Sequence, residues 1–231
     1  MIKILHLYPK LMNLYGEYGN ISVLNKHLID QGLKVKIDAI EIGEDYDPNE
    51  YDFMYMGSGT DSHLLFALED IIKHSKDIND YIKKGKTLLF TGNAMELLGK
   101  TIDDKKALGI FDFESKYQDK RYTGDVIVFN EKLGKIVGFI NRSSLIFSSS
   151  RNHLFKYEFK DQNLIDNDYE GFRTNNAYAT HIIGPILAKN PKFLNEIICS
   201  IIPSDFELKE IKYPYEEESY NVTLKELSNR R

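Results

Sequence analysis

Residues 88–99 read LLFTGNAMELLG, an apolar run that stops at a glycine and passes at once into a short helix-like stretch. In an α/β protein this strand, tight turn and helix is where a nucleophile is displayed. Acyl transfer through such a turn needs a Cys or Ser with a base in hydrogen-bond reach. Here the turn holds Gly92, followed by Asn93, Ala94 and Glu96. Two further segments, MGSGTDS (56–62) and ATHIIGP (179–185), follow strand-like runs, where an α/β sheet places its ligand. Gly57-Ser58-Gly59 reads either as a nest of backbone N–H groups for an anion or as a tight turn. Asp61 reads as a helix cap before it reads as an acid. His181 is the candidate proton carrier of the third segment, and with Glu96 it is the pair available for a different reaction in the same cleft. A cleft of this kind that bound an amino acid without turnover would be a sensor.

The elements that must position these residues follow from periodicity. Ile2 to Leu7 reads as a buried strand, and Ile21, Leu24 and Leu28 recur at helical spacing up to Gln31-Gly32. Lys34 to Ile42 alternates as a second strand, and Asp52 to Met56 is a third. A helix capped by Thr60, Asp61 or Ser62 carries an apolar stripe from Leu64 through Ile71 and Ile78 to Ile82. Thr87 to Thr91 is the fourth strand, and Ala94 to Leu98 a short helix. The rhythm predicts a parallel sheet with helices on its faces. Beyond Lys100, Phe111 to Phe113, Tyr122 to Phe129 and Ile136 to Ile140 read as short antiparallel strands added to that sheet. Ala177 to Ile183 reads as one further strand and the stripe from Phe193 to Ile202 as a helix ended by Pro203. The division expected is a domain over 1–203 and a C-terminal tail or docking segment over 204–231, amphipathic around Leu224 and Leu227.

Composition narrows the function classes. The 231 residues suffice for one well-packed domain. A net charge of −5 gives no electrostatic footprint for nucleic acid or an anionic membrane. No apolar run reaches the length of a membrane span, and the N-terminus lacks a signal-peptide layout, so a cytoplasmic protein is expected. The lone Cys199 excludes an intrachain disulfide and a Cys-rich metal site. The six His residues show no metal-binding spacing. No cofactor is implied, since no phosphate-binding fingerprint occurs.

Taken together and in order, the motifs resemble one family. LYPKLMNLYGEYGN, MGSGTD, LLFTGNAMELLG, RYTGDVIV (121–128), VGFINR (137–142) and ATHIIGPILAKNP (179–191) resemble the motif series of class I glutamine amidotransferases of the cobyric-acid-synthase-like branch. Within that branch the series is most similar to the amidotransferase subunits of lipid II isoglutaminyl synthases. The resemblance covers about residues 2 to 203. It implies a flavodoxin-like, mostly parallel sheet with helices on both faces and added antiparallel strands. It implies glutaminase chemistry by an elbow Cys and a strand His. It also implies a Mur-ligase-like partner subunit that uses the ammonia to amidate a peptidoglycan stem peptide.

The departures fall on the chemistry. Alignment on the shared Leu-Leu-Gly places the family's Cys at Gly92, and alignment on Gly184-Pro185 places its His at Ile183. Arg142 stands where the family has another His, and Ser58 and Thr60 replace Gly and Gln. Neither Gly92 nor Ile183 can perform a thioester reaction. Thr91 is expected to point away from the elbow by strand alternation, and Cys199 to lie remote from it. His181, two residues before Ile183, is expected on the same strand face. The ligand pocket expected from the motifs comprises Gly57, Ser58, Gly59, Asp61, Asn93, Ala94, Glu96 and Arg142. The implied protein is a pseudo-glutaminase with a structural or regulatory role.

Overall fold

The computed structural model describes residues 1–165 and 167–230. Its first half alternates strand and helix: β1 (Ile2–Leu7), α1 (Tyr18–Asp30), β2 (Val35–Ile40), β3 (Phe53–Met56), α2 (Asp61–Ile71), α3 (Ser75–Lys83) and β4 (Thr87–Thr91). These strands are parallel and ordered β2-β1-β3-β4. Side-chain alternation divides their residues between two cores. Leu5, Leu7, Met54, Met56, Leu88 and Phe90 face α2 and α3. Ile2, Ile4, Phe53, Tyr55 and Leu89 face α1 and the later helices. Both faces are therefore covered, which explains why β3 and β4 are buried throughout.

The stripe from Leu64 to Ile82 serves two helices, not one. A 3-10 turn over Ile72–His74 separates α2 from α3. No Gly or Pro lies between Thr60 and Lys84 to announce the break, and the apolar residues on both sides reach the same core.

The second half is antiparallel. Two short strands, β5 (Thr101–Ile102) and β6 (Lys105–Lys106), precede β7 (Phe113–Asn130), β8 (Gly134–Ser148), β9 (His153–Lys160) and β10 (Tyr169–Thr174). The short strands expected over 111–140 are thus two long ones. Polar residues from Glu114 to Arg121 continue β7 because its outer face is solvated, with a bulge between Tyr117 and Tyr122. The chain then returns as β11 (Ala177–Thr180), parallel to β4, and β12 (Ile182–Ile183), antiparallel to β8. The single expected strand over 177–183 is therefore split at His181. Because the hydrogen-bonded order runs β12-β8-β7-β9-β10-β11, the covalent link through His181 joins the two ends of a six-strand ring.

α4 (Ile186–Lys189) and α5 (Pro191–Ile201) pack beneath α1 and β8. Asn190 fixes them. Its Nδ2 donates to the Val137 and Ile186 carbonyls, and its Oδ1 accepts from Val137 N at 2.8 Å. The C-terminal segment forms α6 (Pro214–Ser228) and folds back onto the body. Leu227 is buried against Ile127 and Val137. Tyr220 Oη donates to the Lys135 carbonyl at 2.8 Å. Tyr213 stacks on His27, whose Nε2 lies 3.0 Å from Glu216. Among the described residues no helix is long and apolar enough to cross a membrane.

Candidate functional site

β4 delivers the chain to Gly92 at φ +59°, a left-handed conformation that strains any residue with a Cβ. A 3-10 segment, Gly92–Leu98, follows in place of the expected helix over 94–98, and all of it is buried. Parallel pairing of β4 with β11 sets Thr91 beside Thr180 and so brings the return strand to the elbow. A Cβ built on Gly92 would lie 2.5 Å from both Cβ and Oγ of Ser58 and 2.9 Å from Cγ2 of Ile183. The two positions aligned with the family's dyad therefore meet in space. The volume that a nucleophile's side chain would occupy is filled by Ser58 and Ile183.

Asn93 locks the neighbouring loop. Its Oδ1 accepts from Ser58 Oγ at 3.1 Å and from Gly59 N at 2.9 Å, and its Nδ2 donates to the Gly59 carbonyl at 2.9 Å. The Gly59 N–H is thereby consumed inside the protein, where acyl-transfer chemistry needs free donors aimed at a developing oxyanion. Thr60 caps α2, its Oγ1 accepting from His63 N at 3.1 Å.

Above the elbow lies a cavity of about 390 Å3. Of the expected pocket residues, Ser58, Gly59, Asp61, Asn93, Glu96 and Arg142 line it, joined by Tyr15, Arg121, Asn141 and Ser143. Gly57 and Ala94 do not. A Cβ on Gly57 would meet Glu17 Cβ and the Met12 carbonyl at 2.8 Å, so Gly57 serves a close approach behind the cleft. Ala94 belongs to the apolar core. Asp61 accepts from Ser143 Oγ at 2.9 Å and pairs with Arg121 at 3.4 Å.

The strand breaks at His181, and the two flanking pieces pair with different strands. The His181 ring is 2% exposed and lies among three charged residues. Arg142 Nη1 donates to His181 Nδ1 at 3.0 Å, which leaves Nε2 to carry the proton toward Glu96 Oε1 at 3.4 Å. Burial, aided by the Arg142 guanidinium, pushes the His181 pKa down to about 4. Burial alone would raise Glu96, but the His181 and Ser144 hydrogen bonds hold it below its ordinary value. Ser144 Oγ donates to Glu96 Oε1 at 2.6 Å. Glu170 completes the cluster, with Oε1 accepting from His181 N at 2.7 Å and Oε2 from Thr180 Oγ1 at 2.6 Å. Burial pushes its pKa up to about 7.

Thr91 points away from the elbow and donates to Glu17. Glu17 is fully buried and accepts from Tyr55 Oη and from Gly184 N, each at 3.1 Å. Burial pushes its pKa up to about 7 against those hydrogen bonds. Cys199 is exposed on α5. Periodicity and motif reading missed Glu17 and Glu170 as buried acids. Glu17 stands within the opening motif, whereas no local pattern marks Glu170. Among the described residues no group of three or more His, Cys, Asp or Glu is placed to hold a metal ion.

Residues 3–191 match the model of the CobB/CobQ-like glutamine amidotransferase domain. A Staphylococcus aureus protein, lipid II isoglutaminyl synthase (glutamine-hydrolyzing) subunit GatD, is 29% identical over 96% of this chain and 95% of its own length. The Streptococcus pneumoniae protein of the same name is 25% identical over 97% and 89%. Among solved structures, PurLQS from Thermotoga maritima superposes with a TM-score of 0.58 at 14% identity, over 85% of this chain and 97% of that one. That likeness concerns the fold. Because the family model spans most of the chain, this chain belongs to the CobB/CobQ-like glutamine amidotransferase domain family.

Proposed function

We propose that the chain is a catalytically degenerate member of its family, a pseudo-glutaminase acting as a structural or regulatory subunit in peptidoglycan precursor amidation. The observation that carries this reading is steric. The position that would bear the nucleophile has no side chain, and its side-chain volume is taken by Ser58 and Ile183. Ile183 offers no proton acceptor, and the Gly59 N–H is occupied by Asn93. Its relatives' names supply the pathway: both are subunits of lipid II isoglutaminyl synthases. A Mur-ligase-like protein is the partner proposed, with residues 1–203 as the amidotransferase-like body.

A different reaction through His181 and Glu96 is the rival reading. It asks for a proton-transfer pair open to substrate, and these two side chains are enclosed and bonded to each other. The test is glutamate release from glutamine by the purified chain, alone and with the Mur-ligase-like protein. No release above the buffer rate is expected in either case. Turnover that survives further purification would overturn the reading.

A further inference from the structure

Arg142 is 7% exposed, yet among the described residues no carboxylate lies within ion-pair distance of it. A guanidinium carries five N–H donors. The protein supplies one acceptor, His181 Nδ1, and the buried Nε has none. An enclosed cation so poorly satisfied is destabilising unless something else completes it.

Its surroundings show where the missing acceptor belongs. A second cavity of about 180 Å3, lined by residues of β9 and β10, shares Arg142 with the elbow cavity but is lined by none of Ser58, Gly92 or Ile183. Arg142 and His181 both line it. The charge of Arg142 acts on Tyr157, Glu170 and His181, which all line this cavity. Met95, Ile146 and Phe172 provide an apolar wall. Two further lining residues, His153 and Tyr169, stack at 4.5 Å. Glu170 does not fill the acceptor role. Both its oxygens are engaged by Thr180 and His181 N, and burial favours its protonated form. Asp168 also lines the cavity but forms no ion pair with Arg142.

We infer that this cavity binds a small monocarboxylate with a short apolar chain, its carboxylate on the Arg142 guanidinium and its chain against Met95, Ile146 and Phe172. Pairing of a carboxylate with the Nη1 and Nη2 end of the guanidinium satisfies donors that the protein leaves open. Volume limits the ligand. An apolar cavity of about 150 Å3 holds benzene, so about seven non-hydrogen atoms fit here. Butyrate meets that limit, and glutamine, with its longer polar chain, exceeds it.

The probe is sodium butyrate, titrated calorimetrically into the full chain and followed by saturation-transfer NMR. One-to-one binding is expected, weakened about tenfold or more by Arg142→Met, since a hydrogen bond to a charged group contributes that much. Ile146→Trp, which fills this cavity and leaves the guanidinium intact, is expected to abolish binding. Ile146 does not line the elbow cleft, so butyrate bound there would be indifferent to that change. No binding by wild type, or equal binding by wild type and Ile146→Trp, overturns the assignment. If Arg142→Met fails to fold, the Ile146→Trp comparison decides alone. Glutaminase activity, present or absent, leaves this outcome untouched.

Discussion

Glu17→Gln should stabilise the protein at neutral pH, although it removes a charged hydrogen-bond acceptor from a fully buried site. Folding raises the Glu17 pKa from 4.5 to about 7, mainly by burial. Below the lower value both states hold the proton and there is no penalty. Between the two values the unfolded chain has released its proton while the folded chain retains it, so stability falls as pH rises. Above about 7 the loss is complete and amounts to about 3 kcal/mol. Glutamine has the same shape and no proton to lose. Its carbonyl can accept from Gly184 N, and its amide can donate to the Thr91 hydroxyl. Tyr55 Oη retains the Glu17 carbonyl as an acceptor at 3.1 Å.

Other buried groups titrate in the same range, so absolute curves mislead. Glu170 acts in the same direction as Glu17. His6 and His181, each lowered from 6.5 to about 4, act in the opposite one: stability rises with pH as the unfolded imidazoles lose their protons. The difference between mutant and wild type isolates Glu17. Urea unfolding followed by circular dichroism should show a difference near zero at about pH 4 to 5, growing to about 3 kcal/mol at about pH 8. A difference that does not change with pH would refute the reasoning. So would a mutant less stable than wild type at the alkaline end.

Gly92→Cys should fail to restore glutamine hydrolysis and should destabilise by roughly 2–4 kcal/mol, because the new Cβ meets Ser58 and Ile183 in a left-handed backbone. Adding Ser58→Gly should recover part of that loss in the same denaturation assay. Asn93→Ala should cost about 1–3 kcal/mol by orphaning Gly59 N–H and its carbonyl. Amide exchange over residues 57–60 should accelerate with it. Leu227→Ala should cost about 2–3 kcal/mol if α6 unfolds with the body. Exchange confined to α6, with the β4 amides unchanged and the global midpoint unmoved, would show that α6 opens by itself.

The parallel half of the fold was legible because its signals are local. β3 is an uninterrupted apolar run, β4 is one bounded by Thr87 and Thr91, and β1 is interrupted only by Lys3 and His6, as befits strands covered on both faces. The elbow was legible for the same reason: Gly92 ends a run and Asn93 begins the turn. The split of the expected strand at His181 was not legible because it comes from long-range pairing, with Thr180 held by β4 and Ile182 by β8. β9 and β10 escaped notice because Lys156 and Glu158 in the one and Glu170 and Arg173 in the other interrupt their apolar residues. The partners of Arg142 and the burial of Glu17 are likewise properties of assembly. Acids at such positions look like surface residues until the sheet closes over them.

Ring closure at His181 has a consequence for how copies of this chain meet. Closure through the two-residue β12 occupies the edge of β8 at Phe139 and Ile140. In the parallel half the exposed rim falls to β2, the last strand in the order. That strand is six residues long and carries Lys36 and Asp38, ion-paired at 2.8 Å across its outer face. Charged, short rims resist strand-to-strand association. An approaching strand therefore meets a pair of charges at this rim.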